Sequence, residues 1–252
     1  MKANRIGEMN FNRFGSDMIL EKYNSCSDIV VRFVENGNLV NTIYDRFKKG
    51  DVRNPYDKTV CGVGYLGEGI HKVSENGKMT KMYTVWNSML HRAYNEKYHN
   101  RFPSYKDVTV CREWHNFQVF GDWFQDNYYK IENEIMCMDK DILIKGNKLY
   151  SPETVCFVPE RINTLIVKCN GSRGELPVGV AFNKLHKKYQ SQVANGKGEI
   201  IRLGAFDTPE EAFLEYKLHK ENLIKEVANE YKEKIPLKLY EALIKYQVEI
   251  DD

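Results

Sequence analysis

The side chains of this chain that could do chemistry are a few carboxylates, histidines and cysteines scattered among many lysines and aromatics. Asp139 and Asp141 stand two apart in Cys137-Met138-Asp139-Lys140-Asp141-Ile142. Phosphodiester hydrolysis commonly needs a divalent ion to shield the leaving oxygen and a general base to activate water. Read alone, however, the two aspartates are turn and strand-edge carboxylates. His91, His99 and His115 have no carboxylate or histidine partner at a compelling spacing, so helix-surface or packing roles are expected. Cys26, Cys61, Cys111, Cys137, Cys156 and Cys169 occur singly, without the C-x-x-C pair of a structural zinc site, and read as free, buried thiols. Gly62-Val63-Gly64-Tyr65-Leu66-Gly67-Glu68-Gly69 lacks the G-K-[ST] ending of a phosphate loop and reads as a linker or turn. Near the C-terminus, Lys184, Lys187, Lys188, Gln190, Gln192 and Arg202 are donors suited to phosphate oxygens and base edges.

Several elements must position these groups. Residues 1–60 read as a small β-rich module with strands at Met18–Tyr23, Asp28–Phe33 and Leu39–Tyr44, the last two joined through Asn36-Gly37-Asn38. Its end, Arg46 to Pro55, interleaves basic residues with Phe47, which suits either phosphate contact or a lysine-blunted strand edge. A linker is expected over 61–82. A second unit, 83–168, opens with a helix carrying Val85, Met89 and Ala93 at helical spacing, beside Trp86 and Leu90. Trp114, Phe117, Phe120, Trp123 and Phe124 then recur every three or four residues, a core stripe. After a basic, small-residue link at 168–174, strands are expected at Val178–Phe182, Lys188–Ala194 and Glu199–Leu203. A helix then starts near Thr208, where Asp207 or Thr208 caps, Pro209 fits the first turn and two glutamates suit the dipole. Its apolar side, Ala212, Phe213, Tyr216, Leu223 and Val227, would cover one face of that sheet and leave the other open. A last helix near Leu237–Tyr246 completes the chain, with a packing role.

The stretch from Pro177 to about Ala228 resembles the DNA-binding domain of plant ethylene-response factors, which also occurs fused to phage and mobile-element endonucleases. The likeness rests on Gly179-Val180, on Lys188-Tyr189-Gln190-Ser191-Gln192-Val193, and on Leu203-Gly204-Ala205-Phe206-Asp207-Thr208-Pro209-Glu210-Glu211-Ala212 with Tyr216. It implies that the open sheet face enters the major groove of double-stranded DNA. Lys184, Lys187, Lys188, Tyr189, Gln190, Gln192 and Arg202 would then make the contacts. Tyr189 stands where the family often has tryptophan, and Val178 and Ala181 replace the arginines that usually flank the first-strand glycine.

Cys137 to Ile142, Gly146 to Pro159 and Glu160-Arg161-Ile162-Asn163, preceded by Glu113-Trp114-His115-Asn116-Phe117, are similar to the ββα-metal (HNH-like) nucleases of phages and prophages. The resemblance implies Mg²⁺ or another divalent cation held by Asp139 and Asn163, with Asp139, Lys140, Asp141 and Asn163 as the catalytic set. Lys140 occupies the position of the general-base histidine. An ordinary lysine, with a pKa of about 10.4, is protonated at neutral pH and cannot accept a proton from water, though it could hold a phosphate. Asp141 or a histidine such as His115 could take the base role, the chemistry could differ, or the fold could persist without activity. Thr154 replaces the loop asparagine that normally orients the base.

Composition bounds these readings. A chain of 252 residues, 42% hydrophobic and 29% charged, has the make-up of a globular protein long enough for two or three units, and the elements and resemblances above imply an α+β, multi-domain organisation. The net charge of +2 announces no nucleic-acid binder, so any basic surface must be local. The absence of a long apolar run or a signal-peptide core predicts no membrane partner and a place in the cytoplasm, here of a phage's bacterial host. The sequence thus predicts segments at 1–60, 61–82, 83–168, 175–234 and 235–252, and a metal-dependent DNA endonuclease of the homing kind. The alternatives are a non-catalytic DNA-binding regulator and a phage protein that binds a host immune component.

Overall fold

The structure, a computed structural model, describes residues 5–166 and 176–250. The link expected at 168–174 lies outside the described residues. Compact packing divides the chain into 1–126 and 127–252, a mixed α and β architecture in both parts.

In the first unit, strands β1 (Met9–Phe11), β2 (Asp17–Ser25), β3 (Asp28–Phe33) and β4 (Leu39–Thr42) form an antiparallel sheet in sequence order. Met18 and Leu20 alternate with Ile29, Val31 and Phe33 onto one face, as a half-buried sheet requires. Helix α1 (Tyr44–Lys49) closes that face with Phe47, and Val52 joins the same core. The basic stretch after β4 is therefore helical. Lys48 pairs with Glu8 and Lys49 with Asp45, so two of the four cations of this stretch are paired within the protein, while Arg46 and Arg53 are exposed.

Helix α2 (Lys81–Tyr94) is capped by Thr80, whose Oγ1 accepts from the Tyr83 N–H, and it buries Trp86, Met89, Leu90 and Ala93; the short α3 (Glu96–Arg101) follows it. The expected aromatic stripe is core: Trp114 and, on α4 (Phe117–Asn127), Phe120 and Phe124 are buried, with Phe117 against the Trp86 ring. Trp86 Nε1 donates to the Trp114 carbonyl at 2.7 Å. The glycine-rich stretch expected as a linker is instead pressed onto these helices. A Cβ on Gly64 would lie 2.4 Å from Leu90 Cδ1, and one on Gly67 2.2 Å from Asn116 Oδ1. Glycine is used here for close approach, which composition cannot distinguish from flexibility.

In the second unit, β5 (Met136–Asp139) and β6 (Cys156–Pro159) pair antiparallel, with the two-residue strand Leu149–Tyr150 between them in the chain, and β6 runs directly into α5 (Glu160–Ile166), so the pair and the helix make a strand-strand-helix part. Next, β7 (Val180–Asn183), β8 (Lys188–Ala194) and β9 (Ile200–Phe206) form a three-stranded antiparallel sheet in sequence order. Helix α6 (Pro209–Glu230) follows, with a complete capping box between Thr208 and Glu211 and Pro209 at its start. Its 22 residues span about 33 Å. The first half, through Ala212, Phe213 and Tyr216, covers the sheet together with Val180 and Val193. The second half, through Ile224, Val227 and Ala228, joins Cys156, Val158, Ile162 and Leu165 of the strand-strand-helix part. Helix α7 (Leu237–Ile244) adds Leu239 and Leu243 to that second core, the expected packing role. The sequence places a domain boundary between the two parts of this unit, whereas one helix serves both cores.

Candidate functional site

Asp139 ends β5 opposite Cys156. Its Oδ1 accepts the backbone N–H groups of Asp141 at 2.7 Å and Ile142 at 2.8 Å, the local turn that aspartate makes where a strand stops. Burial pushes its carboxyl above the ordinary carboxylate range, against the pull of those two N–H bonds; the Asp141 charge adds to the rise and Lys140 opposes it. Oδ2 is the oxygen left over from this turn.

Lys140 is 7% exposed, and its Nζ donates to Asp141 Oδ2 at 2.7 Å and to the Asn147 carbonyl at 2.8 Å. Asn147 completes the clasp: its Nδ2 donates to the carbonyls of Lys140 and Leu149, and its Oδ1 accepts the Leu149 N–H. Thr154 Oγ1 donates to the same Leu149 carbonyl at 2.6 Å and accepts the Ser151 N–H. Lys140 and Thr154, which the resemblance puts at the base and base-orienting positions, therefore hold the loop between β5 and β6. Asn163 is half-buried on α5, between buried Ile162 and exposed Thr164. The structure thus gathers Asp139, Lys140 and Asp141 into one loop.

His115 belongs to the first unit. Its Nε2 lies 3.2 Å from the Tyr94 hydroxyl, which also bonds both backbone groups of Val110, and burial lowers its pKa. His91 bonds Asn95 and His99 bonds the Arg92 carbonyl. All three are satisfied packing histidines, as their spacing predicts. His71, which the sequence reading passes over, has its ring against Gly121 and its Nε2 2.8 Å from Asp122 Oδ1. Its backbone N–H and carbonyl both bond the Gln118 amide, so the ring fastens the glycine-rich stretch to α4.

The three-stranded sheet sorts its residues by parity. Val180, Ser191 and Val193 face α6, and on the same side Phe182, Tyr189 and Phe206 are cross-strand partners. Tyr189, named with the DNA-contacting set, is thereby on the covered face, its ring centroid 5.0 Å from that of Phe182. Lys188, Gln190 and Gln192 point to the opposite, open face. Arg202 joins them as the partner of Gln192. Gln190 stands between Ala181 and Ala205, whose small side chains leave its amide clear. Lys188 forms an ion pair with Asp207 beside the helix cap. Lys184 and Lys187 occupy the turn between β7 and β8 and are exposed. A Cβ on Gly179 would fall 2.0 Å from the Tyr216 ring, so the glycine and tyrosine of the motif are joined by contact.

The clasp made by Asn147 and the pairing of Asp207 with Lys188 escape the sequence reading. Gly146-Asn147 carries a turn signal that points to Asn147, but nothing local points to the Asp207 pairing, which needs the sheet to form.

No family model, curated protein or solved structure matches the chain. Among the described residues, no helix is long and apolar enough to cross a membrane, and no three His, Cys, Asp or Glu side chains gather as a metal cluster. A site made of one carboxylate, one amide and water would not form such a cluster. All-oxygen donors of that kind would suit Mg²⁺, which keeps several waters and takes few protein ligands.

Proposed function

We propose that this protein is a phage-encoded DNA endonuclease that docks on duplex DNA through the open face of the three-stranded sheet. The observation that carries the reading is the convergence of Gln190, Gln192, Arg202 and Lys188 on that one face, with α6 covering the other. Arginine and glutamine supply the paired donors and acceptors that read guanine and adenine in the major groove, and lysines at the edge hold phosphates. Asp139 at the end of β5 and Asn163 on α5 would hold Mg²⁺ or a similar ion, whose chemistry is to shield charge on the phosphodiester. Lys140 keeps the Asp139 loop in shape and is not the base. Work in the cytoplasm of a bacterial host follows from the phage resemblance.

Binding is tested by fluorescence anisotropy on mixed-sequence duplexes. Arg202→Ala should weaken binding, and Lys184→Ala should lower the salt dependence by about one unit of slope. A wild-type protein without salt-sensitive duplex affinity refutes docking. Cleavage is tested on supercoiled plasmid with Mg²⁺ or Mn²⁺, comparing wild type with Asp139→Ala. Plasmid left intact by wild type under all conditions refutes the enzyme.

A second reading, a DNA-binding regulator on a nuclease scaffold, is favoured by the Lys140 ammonium being tied to Asp141 and the Asn147 carbonyl. It predicts duplex binding without any metal requirement. A stable host-protein partner in place of duplex affinity would favour the third role, interference with host immunity.

A further inference from the structure

The turn that joins β7 to β8, Lys184-Leu185-His186-Lys187, carries one apolar side chain, Leu185. Leu185 is 83% exposed. The turn is nonetheless built. Asn183 Oδ1 accepts the N–H groups of Leu185 at 3.0 Å and His186 at 3.2 Å, and Lys187 takes a left-handed backbone with φ 51°. Such a side-chain clasp fixes the backbone of the turn, and with it the position of the Leu185 Cα, before any partner arrives.

The surroundings select the partner. Lys184 and Lys187 flank the leucine, and Lys188 follows at the first position of β8. Among the described residues neither Lys184 nor Lys187 forms an ion pair, while Lys188 is held by Asp207. A lone apolar tip between two unpaired ammonium groups matches a surface with phosphates on both sides and an apolar spot between them. The major groove offers such a spot in the C5-methyl group of thymine, which apolar side chains read.

We infer that Leu185 is a specificity-determining residue that buries a thymine methyl at the end of the groove occupied by the sheet, an assignment that rests on the duplex-docking reading above. Lys184 and Lys187 fix the tip on the flanking phosphates and carry no sequence information themselves.

Replacing thymine by uracil removes that methyl and nothing else. Wild type and Leu185→Ala are each titrated against two mixed-sequence duplex pools, one containing thymine and one containing uracil. Wild type should prefer the thymine pool by about fourfold, the value of one buried methyl. Leu185→Ala should bind both pools alike, near the wild-type affinity for uracil. Because Leu185 is exposed, this variant should fold normally. A wild type indifferent to the exchange, or a variant that keeps the preference, overturns the inference while leaving duplex docking intact. Failure of wild type to bind either pool overturns docking itself and this inference with it. Leu185-dependent binding to phosphatidylserine vesicles without thymine preference would assign the tip to a lipid surface and overturn the inference too.

Discussion

Replacing Lys140 by methionine asks whether this lysine is a strut or a functional cation. Methionine keeps most of the volume and removes the ammonium. Two bonds go with it, at 2.7 Å to Asp141 and 2.8 Å to the Asn147 carbonyl. The Asp141 side chain is 43% exposed, so water takes over much of its solvation and that half of the loss is about 0.5 kcal/mol. The Asn147 carbonyl loses a charged donor inside a folded loop, which costs about 1.5 kcal/mol. The expected destabilisation is therefore about 2 kcal/mol, or roughly 1 M in urea midpoint for a unit of this size, without a change in slope. Lys184→Met, at an exposed turn position, should change stability by less than about 0.5 kcal/mol and serves as the control. The measurement is urea unfolding followed by far-UV circular dichroism. An unchanged midpoint for Lys140→Met, with lost plasmid nicking or lost duplex affinity, would refute the strut assignment and return Lys140 to the substrate.

Two further outcomes follow from the second unit. Gly179→Ala should destabilise it by about 3 kcal/mol, because φ is +74° and the new Cβ would meet the Tyr216 ring at 2.0 Å; a thermal midpoint equal to wild type would mean the strand can shift freely. The hydrogen bond from Arg161 holds the Glu230 carboxylate below its ordinary 4.5, partial burial opposing it. A depressed folded-state value means the stabilisation is present above pH 4.5 and lost as pH falls through the folded value. With Glu230 half exposed the amount is about 0.5 kcal/mol, so Glu230→Gln should unfold less steeply with acid than wild type in urea titrations from about pH 6 down to pH 3. Parallel acid curves would remove the assigned role of this pair.

Local signals in the chain fixed much of the secondary structure. Thr208, Pro209 and Glu211 announce α6 because a cap, a restricted φ and a reciprocal glutamate act within one turn. Met18, Leu20, Ile29, Val31 and Phe33 announce their strands because alternation is a property of adjacent residues. The open-face set Lys188, Gln190 and Gln192 was legible for the same reason. Tyr189 fell on the covered face by the same parity, although its type suggested a contact residue.

Other assignments depended on atoms distant in sequence. The glycines at 64 and 67 suit a flexible linker equally well until Leu90, Trp86 and Asn116 are brought against them. The basic residues near Lys48 look available until Glu8 arrives from 40 positions away. Whether Asp139, Lys140 and Asp141 form a reactive set or a clasped loop turned on the carbonyl of Asn147, which the sequence marks only as a turn residue. By itself the sequence determined the longer helices, most of the strands and which donors share a strand face, because those properties repeat over two to four residues; the short elements Met9–Phe11 and Tyr44–Lys49 carry too few repeats to announce themselves. Only the tertiary structure decided that one helix closes both cores of the second unit and that Lys140 is already occupied, because burial and ion pairing depend on which distant groups the fold brings within bonding distance.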